Sequence, residues 1–343
     1  MFLSIIIPVA IAFFATYLVL PPFIKLLKHE GLVGIDIHKM NKPEVPEMGA
    51  PSVLFGFLGG IFVYIGAKTF LLGGINPTEL VIFLAVVSTV MIITFIGLID
   101  ELTMLIKERE GHGIFEKFKR KGLSKLMQFI LPFPAAIPLM AVAAGISNIT
   151  IPFLGVVSIG ILYPLILVPI AIVGASNATN MLAGFNGLQA GLGIVMLTFL
   201  GIFAYLNGSV IAALIAFIFI GSLIAFLIFN WYPAKIFPGA LDYLVGTVIA
   251  CVAIVGNIEK FALLCFAPWF LELVLKLPSK FKAENYGVIQ KDGTLKAPEG
   301  RPESLTHIVM KLGRFKEWQV SLIIIGLVAL WCGIMFVMNV KSI

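Results

Sequence analysis

Long apolar runs recur along the whole chain, and they restrict its fold more than any other feature of the sequence. Each run spans about 17 to 25 residues, the length that an α-helix needs to cross a bilayer. Hydrophobic residues make up 60% of the chain and charged residues only 12%, which favours a polytopic membrane protein over a soluble one. We therefore predict an all-α fold with one transmembrane domain over residues 1–343. The ten predicted spans are 2–24, 52–72, 79–99, 125–146, 152–173, 188–206, 208–229, 241–257, 258–276 and 319–340.

Basic residues are distributed unevenly among the connections between these spans. Of the 24 lysines and arginines, 21 lie in the loops 25–50, 100–125, 230–240 and 276–318. Because lysine and arginine concentrate in cytoplasmic loops, these loops are predicted to face the cytoplasm and both termini to face outward. The net charge of +6 then reflects membrane topology and does not indicate nucleic-acid binding. We predict a multi-pass protein of the cell membrane with its active site on the cytoplasmic face.

The last cytoplasmic loop, 277–318, is the longest connection and carries secondary-structure signals of its own. The segment YGVIQKDGTLKA alternates around Asp292-Gly293, a pair that favours a tight β-hairpin turn. The following RPESLTHIVMKLGRFKEW has the pattern of a short amphipathic helix at the membrane interface. Arg301 and His307 are available there to anionic groups, so we predict that this loop binds substrate, although a basic interfacial helix does not require one.

An amide-rich stretch, GASNATNMLAGFNGLQAGLG from Gly174 to Gly193, lies between two apolar runs. Side-chain amides bind metal ions or nucleotides without placing a net charge near lipid, and glycine lets backbone N–H groups approach a phosphate. The glycines alone also fit close helix packing. The asparagines together favour a binding function, and they make Asn177, Asn180 and Asn186 candidate site residues.

Acidic residues stand at the predicted cytoplasmic ends of other spans. Asp100 and Glu101 follow the third span, and Asp242 lies at the start of the eighth. For Asp242 a functional role is the default hypothesis, because an acid at the mouth of a membrane helix is energetically costly. The pair Asp100 and Glu101 also fits a helix end that simply reaches water. Two more acids, Asp36 and Glu47, lie in a loop rich in proline and glycine, where either could bind a ligand hydroxyl.

These side chains together suit the transfer of a phosphoryl group. Carboxylate and amide oxygens are ligands for Mg²⁺, which shares its remaining positions with phosphates. Lys125, at the cytoplasmic start of the fourth span, is well placed to contact phosphate oxygens. Phosphoryl transfer needs mainly positioning and charge stabilisation from the protein. The cysteines all lie in apolar runs and the histidines are far apart, so neither a disulfide framework nor a zinc site is indicated.

Several segments resemble the polyprenyl-phosphate N-acetylhexosamine-1-phosphate transferases, also called glycosyltransferase family 4. They are NATNMLAGFNGLQAG, FNWYPAKIFPG, the acid pair after FIGLI, and GLVGIDIHK with VPEMG. The segments AENYGVIQ and RPESLTH are more similar to the archaeal and eukaryotic branch that uses dolichyl phosphate. The resemblance implies transfer of GlcNAc-1-phosphate from UDP-GlcNAc to this lipid, with release of UMP, in N-glycan or surface polysaccharide assembly. It also implies a Mg²⁺ cofactor, with Mn²⁺ as an alternative, and homodimers are common in the family.

The resemblance implies roles for individual residues as well. Asn180 matches the family's metal-binding amide, and Asn186 matches the asparagine that contacts uracil. Lys125 matches a phosphate-contacting lysine, and Glu47 falls near an acid that contacts the nucleotide. Asp100 matches the first acid of the family's usual Asp-Asp pair, whose proposed role is to activate the lipid phosphate or to support the metal.

The chain departs from the family pattern at two positions. Glu101 stands where the family has a second aspartate, so the charge is kept and the side chain is longer by one methylene. Ala240 stands where the family has a metal-binding aspartate. We predict that Asp242 supplies this ligand from a shifted position, and the alternative is a catalytically silent protein that only binds the nucleotide sugar.

Two other functions remain compatible with the sequence. An undecaprenyl-phosphate sugar-1-phosphate transferase of cell-wall synthesis would share the same motifs. A transporter of lipids or nucleotide sugars would also have many spans, but its polar sites would lie near the bilayer midplane rather than at span ends. A GxxxG match at Gly56 and Gly60 in the second span is too weak to assign a homodimer interface.

Overall fold

The computed structural model describes residues 2–108, 130–143, 148–151 and 155–340. Most of these residues are helical, as the apolar runs predict. The helices are α1 (Phe2–His29), α2 (Ala50–Leu71), α3 (Pro77–Glu108), α4 (Phe133–Val142), α5 (Val168–Met181), α6 (Leu188–Leu206), α7 (Val210–Asn230), α8 (Leu241–Gly256), α9 (Glu259–Cys265), α10 (Ala267–Lys276), α11 (Leu305–Leu312) and α12 (Glu317–Val340). A π-helical segment, Tyr163–Leu167, leads directly into α5. Short antiparallel hairpins pair β1 (Val33–Ile35) with β2 (Glu44–Pro46), β3 (Asn148–Ile151) with β4 (Gly155–Ser158), and β5 (Val288–Ile289) with β6 (Leu295–Lys296).

In the described part of the chain, seven helices are long and apolar enough to cross a membrane. An eighth candidate span consists of α9 and α10, which meet at a bend of 50°. The predicted spans 125–146 and 241–257 correspond to the shorter apolar helices α4 and α8, and residues 109–129 lie outside the described ranges. The multi-pass architecture is thus confirmed, whereas the count of ten spans and the outward location of the termini remain predictions.

The last loop contains both elements that its sequence predicts. Strands β5 and β6 pair with Val288 opposite Lys296, and Gly293 in the connecting turn has a positive φ of 78°. Helix α11 begins after Ser304, whose side chain accepts a hydrogen bond from the backbone N–H of Thr306. This N-cap satisfies one of the free N–H groups of the first helical turn, which explains where the helix starts.

The predicted start of the fifth span at residue 152 is wrong. Residues 155–158 form strand β4, and the helical structure begins only at Tyr163. Val156 and Val157 are β-branched and favour a strand, and Gly155 and Gly160 both adopt positive φ values that interrupt a helix. The apolar run therefore contains the second strand of a hairpin followed by a helix.

The GxxxG match in α2 packs within the chain. A side chain at Gly56 would collide with Thr16 of α1, and one at Gly60 would collide with Ile218 of α7. The glycines let α1 and α7 approach α2 closely, which is how small residues stabilise helix pairs in membranes. These contacts account for the motif without a dimer interface.

One end of the bundle gathers the segments with polar sequences. The loops 30–49, 182–187 and 231–240 lie there, and we call it the site end. Helices α5 and α8 touch close to this end because Gly246 of α8 has no side chain. A Cβ there would collide with Ala175 and Thr179. The hydroxyl of Thr179 donates to the backbone carbonyl of Asp242 over 2.8 Å. This contact fixes the start of α8 against the last turn of α5.

Candidate active site

A polar cavity of about 450 Å³ opens at the site end. It collects side chains from loops and helix ends, from Ile35 near the start of the chain to Glu317 near its end. The predicted site residues that line it are Asp36, Glu47, Asp100, Glu101, Asn180, Asn186 and Asp242. Five of these seven side chains are carboxylic acids, so the cavity can hold cations or ligands that carry a cation.

Oxygen donors cluster in one part of this cavity. Asp100 and Asp242 are close enough to interact electrostatically with each other and with the Tyr243 side chain. Tyr243 is also hydrogen-bonded to Asn180. One oxygen of Asp242 accepts the N–H of Tyr243 over 2.7 Å. Among the described residues, no three His, Cys, Asp or Glu side chains form a metal cluster by themselves. The amide oxygen of Asn180 would complete a set of three hard ligands, the donor type that Mg²⁺ takes.

Glu101 is held by backbone groups from two separate segments. Its Oε1 accepts the N–H of Met48 over 3.0 Å, and its Oε2 accepts the N–H of Ala240 over 3.1 Å. Gly239 has a positive φ of 58°, and a Cβ there would overlap the Glu101 carboxylate. The carboxylate therefore joins the loop before α2 to the start of α8.

A buried ionic network forms another part of the wall. The Lys39 ammonium lies 3.0 Å from Asp36 Oδ2 and 2.5 Å from Glu317 Oε2. Asn186 donates from its side-chain amide to Asp36 over 3.1 Å and from its backbone N–H to Glu317 over 2.9 Å. His38 Nδ1 is 3.5 Å from the same Glu317 carboxylate. Because two buried acids share one lysine, their geometry is tightly determined.

A second, mostly apolar groove of about 910 Å³ lies next to the polar cavity. Residues of α5, α8, α9 and α10 line it, including Ala250 and Ala253 of α8. Asn180 and Tyr243 line both the groove and the polar cavity. The two spaces therefore adjoin at the oxygen donors.

Residues 83–257, about half of the chain, match the sequence profile of glycosyl transferase family 4. The chain belongs to this family. It is 36% identical to a Saccharolobus solfataricus protein over 99% of this chain and 98% of that one. It is 35% identical to a Sulfolobus acidocaldarius protein over 95% and 93% of the two chains. Both relatives are provisionally named UDP-N-acetylglucosamine–dolichyl-phosphate N-acetylglucosaminephosphotransferase. The phospho-N-acetylmuramoyl-pentapeptide-transferase of Streptococcus pyogenes is 28% identical over 95% of both chains.

Three described site residues predicted for this glycosyl transferase family 4 protein do not line the polar cavity, and a fourth lies outside the described ranges. Asn177 faces the apolar groove, and its amide donates to the Val173 carbonyl over 2.8 Å. Arg301 is exposed on the last loop, 3.8 Å from Glu303. His307 is buried in α11. Lys125 lies outside the described residues, so its contact with phosphate remains a prediction.

His307 faces the inside of the last loop. Its Nδ1 accepts the backbone N–H of Glu303 over 3.3 Å. Burial lowers the pKa of His307 below its ordinary value, because the charged imidazolium would lose its hydration. The side chain therefore supports the loop as a neutral imidazole.

Several residues that the sequence reasoning missed also line the cavity. Gln189 is buried, and its Oε1 has no hydrogen-bond partner within the described residues. Tyr243, Tyr286 and Glu317 are also part of the wall. Gln189 lies three residues after Asn186, and Glu317 is an acid at the start of an apolar span. These two positions in the sequence could have indicated that both residues belong to the site.

Proposed function

We propose that this protein transfers N-acetylglucosamine 1-phosphate from UDP-N-acetylglucosamine to dolichyl phosphate, releasing UMP and leaving a lipid-diphosphate sugar. The observation that carries the proposal is the junction of a polar cavity and an apolar groove at Asn180 and Tyr243. A water-soluble nucleotide sugar suits the cavity, and a polyprenyl chain suits the groove. The names of the archaeal relatives support this choice of substrates.

The proposed metal site consists of Asp100, Asn180 and Asp242. Their carboxylate and amide oxygens fit Mg²⁺, with Mn²⁺ as an alternative, and the remaining positions would go to the diphosphate. When bound, the metal would neutralise charge that builds up on the phosphate oxygens during transfer. In this proposal Asp242 binds the metal in place of the aspartate that the family pattern has at position 240.

We infer that the lipid phosphate attacks the β-phosphorus of the nucleotide sugar. A new P–O bond forms to the lipid, the bond between the two phosphates breaks, and UMP leaves with the electron pair. Asp100 is our candidate for taking up a proton from the incoming phosphate, through the carboxylate oxygen that the metal would leave free. Glu101 is less suited, because both of its oxygens already accept backbone N–H groups.

The nucleotide end of the substrate is assigned to the wall that contains Asn186. Its side-chain amide and the unpartnered oxygen of Gln189 are the polar groups available to a base. Base recognition by fixed amides is selective, because a wrong ligand leaves buried polar atoms unpaired. We place this site on the cytoplasmic face of the cell membrane, where UDP-sugars are made.

The test is Mg²⁺-dependent release of UMP by the purified protein, given UDP-GlcNAc and dolichyl phosphate. We expect release from the parent protein and a loss of about 100-fold or more in Asp242→Asn, since a ligand that stabilises transition-state charge is removed. Glu79→Gln is the matched control. Glu79 accepts a hydrogen bond from the Tyr64 hydroxyl at the end of α3 opposite Asp100. Its replacement should leave the rate of UMP release unchanged.

Other outcomes separate the remaining hypotheses. UDP-GlcNAc binding without UMP release from the parent would favour the catalytically silent binder, which Ala240 keeps open. Faster release with undecaprenyl phosphate than with dolichyl phosphate would favour the cell-wall type of enzyme, to which the Streptococcus relative belongs by name. Movement of substrate across vesicles without UMP release would indicate a transporter.

A further inference from the structure

The turn 182–187 connects α5 to α6 and lies between the two halves of the proposed site. Asn180, a proposed metal ligand, stands in the last turn of α5 before it, and Asn186, the proposed nucleotide contact, stands within it. Gly184 and Gly187 in this turn have positive φ values of 95° and 76°. Glycine favours such angles but does not enforce them, so the turn depends on other contacts for one conformation.

Asn285 from the last loop holds the α5 end of the turn. Its side-chain N–H groups donate to the carbonyls of Met181 and Ala183 over 2.9 and 2.7 Å. Carbonyls at the C-terminal end of a helix lack helical partners, so this amide satisfies groups that would otherwise stay unpaired. Asn285 is itself fixed, since its backbone carbonyl accepts the hydroxyl of Thr306 over 2.7 Å.

Glu317, the first residue of α12, holds the α6 end. Its Oε1 accepts the backbone N–H of Asn186, and its Oε2 pairs with Lys39. From the same helix, Ser321 donates to the Asn186 carbonyl over 3.0 Å. Asn230 at the end of α7 accepts the N–H of Gly187 over 3.1 Å. Glu317 borders the cavity, but its carboxylate oxygens are occupied by these protein groups.

We propose that Asn285 and Glu317 are positioning residues with separate tasks, on the assumption that the proposed function holds. Asn285 sets the end of α5 and so orients Asn180 toward the metal. Glu317 sets the backbone of Asn186 and so orients its amide toward the nucleotide. The two contacts lie on opposite ends of one turn and come from different segments, so their effects on the reaction should be separable. The last loop thereby contributes to catalysis through Asn285, which does not line the cavity itself.

The kinetic test compares Asn285→Asp with Glu317→Ala in the full-length protein. Asn285→Asp keeps the shape but replaces the donating amide with an acceptor that faces two carbonyls. We expect about a tenfold lower kcat and a higher Mg²⁺ requirement, with KM for UDP-GlcNAc nearly unchanged. Glu317→Ala should instead raise KM for UDP-GlcNAc about tenfold with little change in kcat. Glu317→Gln retains one acceptor for the Asn186 N–H and should recover most of that loss.

Matched controls separate positioning from general stability. Asn207→Asp makes the same change at the far end of α6, where the Asn207 amide donates to the Phe203 carbonyl over 2.8 Å. Glu79→Ala removes a hydrogen-bonded acid away from the site end. Neither control should alter kcat or KM. If Asn285→Asp and Glu317→Ala change both parameters in parallel, or change only the melting temperature, the separate tasks are disproved.

Binding measurements test the proposal without turnover. UDP affinity by calorimetry should fall about tenfold in Glu317→Ala and stay constant in Asn285→Asp, while Mn²⁺ affinity by electron paramagnetic resonance should show the reverse pattern. If the parent releases no UMP, the transferase proposal fails, and this crossed pattern still decides the positioning roles. Unchanged affinities in both variants would overturn them.

Discussion

At the scale of single residues, the start of α8 shows how the chain accommodates alanine at position 240. Ala240 is the N-cap of α8 and lines the cavity. Its backbone N–H donates a hydrogen bond to the Glu101 carboxylate. Asp242 reaches the same cavity from the first turn of the helix. A carboxylate therefore reaches the cavity from the start of α8 although position 240 is alanine.

Ala240→Asp should increase the affinity for Mg²⁺. The new carboxylate would enter the cavity beside Asp100 and Asp242 and add a further oxygen ligand. We expect the Mg²⁺ concentration that gives half-maximal UMP release to fall by about tenfold, in line with typical effects around metal sites. A Mg²⁺ titration of UMP release measures it. A higher Mg²⁺ requirement would mean that position 240 does not face the metal.

The neighbouring acids Asp100 and Glu101 should separate activity from stability. Glu101→Gln replaces one of two oxygens that accept backbone N–H groups with an NH₂ group, so the free energy of unfolding should fall by about 1–3 kcal/mol. Asp100→Asn should instead lower kcat by about 100-fold, as loss of a proton acceptor does, and should change stability less. Thermal unfolding and UMP release on both variants give the comparison. Equal stability losses would contradict the assignment of Glu101 to a backbone-holding role.

His307 should make the protein sensitive to mild acid. Burial lowers its pKa in the folded state, so below its ordinary value of 6.5 the unfolded chain binds a proton that the folded chain does not. Stability contributed by neutral His307 is therefore present above that pH and is lost as the pH falls toward the folded pKa. His307→Asn retains an acceptor for the Glu303 N–H and should flatten the dependence of melting temperature on pH. An identical pH dependence in both proteins would refute this.

At the scale of elements, the groove between α5 and α8 is where a lipid chain could reach the reacting groups. The floor of this groove includes Gly174, beside which a Cβ would meet no atom within 4 Å. Helices α9 and α10, which meet at a bend of 50°, form the opposite side. The groove therefore lies between the small residues of α5 and α8 and a broken span.

Gly174→Phe should fill the groove without displacing its walls. We expect KM for dolichyl phosphate to rise roughly tenfold, equivalent to about 1.4 kcal/mol of lost binding, and KM for UDP-GlcNAc to stay the same. Gly326→Phe is the matched control, because Gly326 on α12 is exposed and also has open space around it. An unchanged KM for the lipid in Gly174→Phe would exclude this groove as the lipid site.

At the scale of the whole molecule, the predicted orientation decides which compartment the cavity faces. Lys291 is exposed in the β5–β6 turn, and Gly74 is exposed between α2 and α3. In cells, a membrane-impermeant thiol reagent should label Gly74→Cys from outside and should label Lys291→Cys only after lysis. The native cysteines are buried and give a low background. Outside labelling of Lys291→Cys would reverse the topology.

The sequence alone determined the membrane class and much of the cavity. Run length and charge asymmetry are local properties, so the helical bundle and the polar loops could be read from them. Asn180, Asn186 and Asp100 were identified because amides and acids at the ends of apolar helices are costly unless used. The hairpin at Asp292-Gly293 could also be predicted from the local sequence, since the geometry of the turn depends on those two residues.

The tertiary structure decided which of these side chains act together. It turned Asn177 toward the apolar groove and buried His307 within the last loop. It also joined Lys39 to Glu317 and Asn285 to the end of α5, contacts between residues more than 100 positions apart. Such pairs leave no periodic signal in a single sequence, because their proximity depends on how distant helices pack. The reactive groups can therefore be recognised from the local sequence, whereas the residues that each group contacts are determined by tertiary packing.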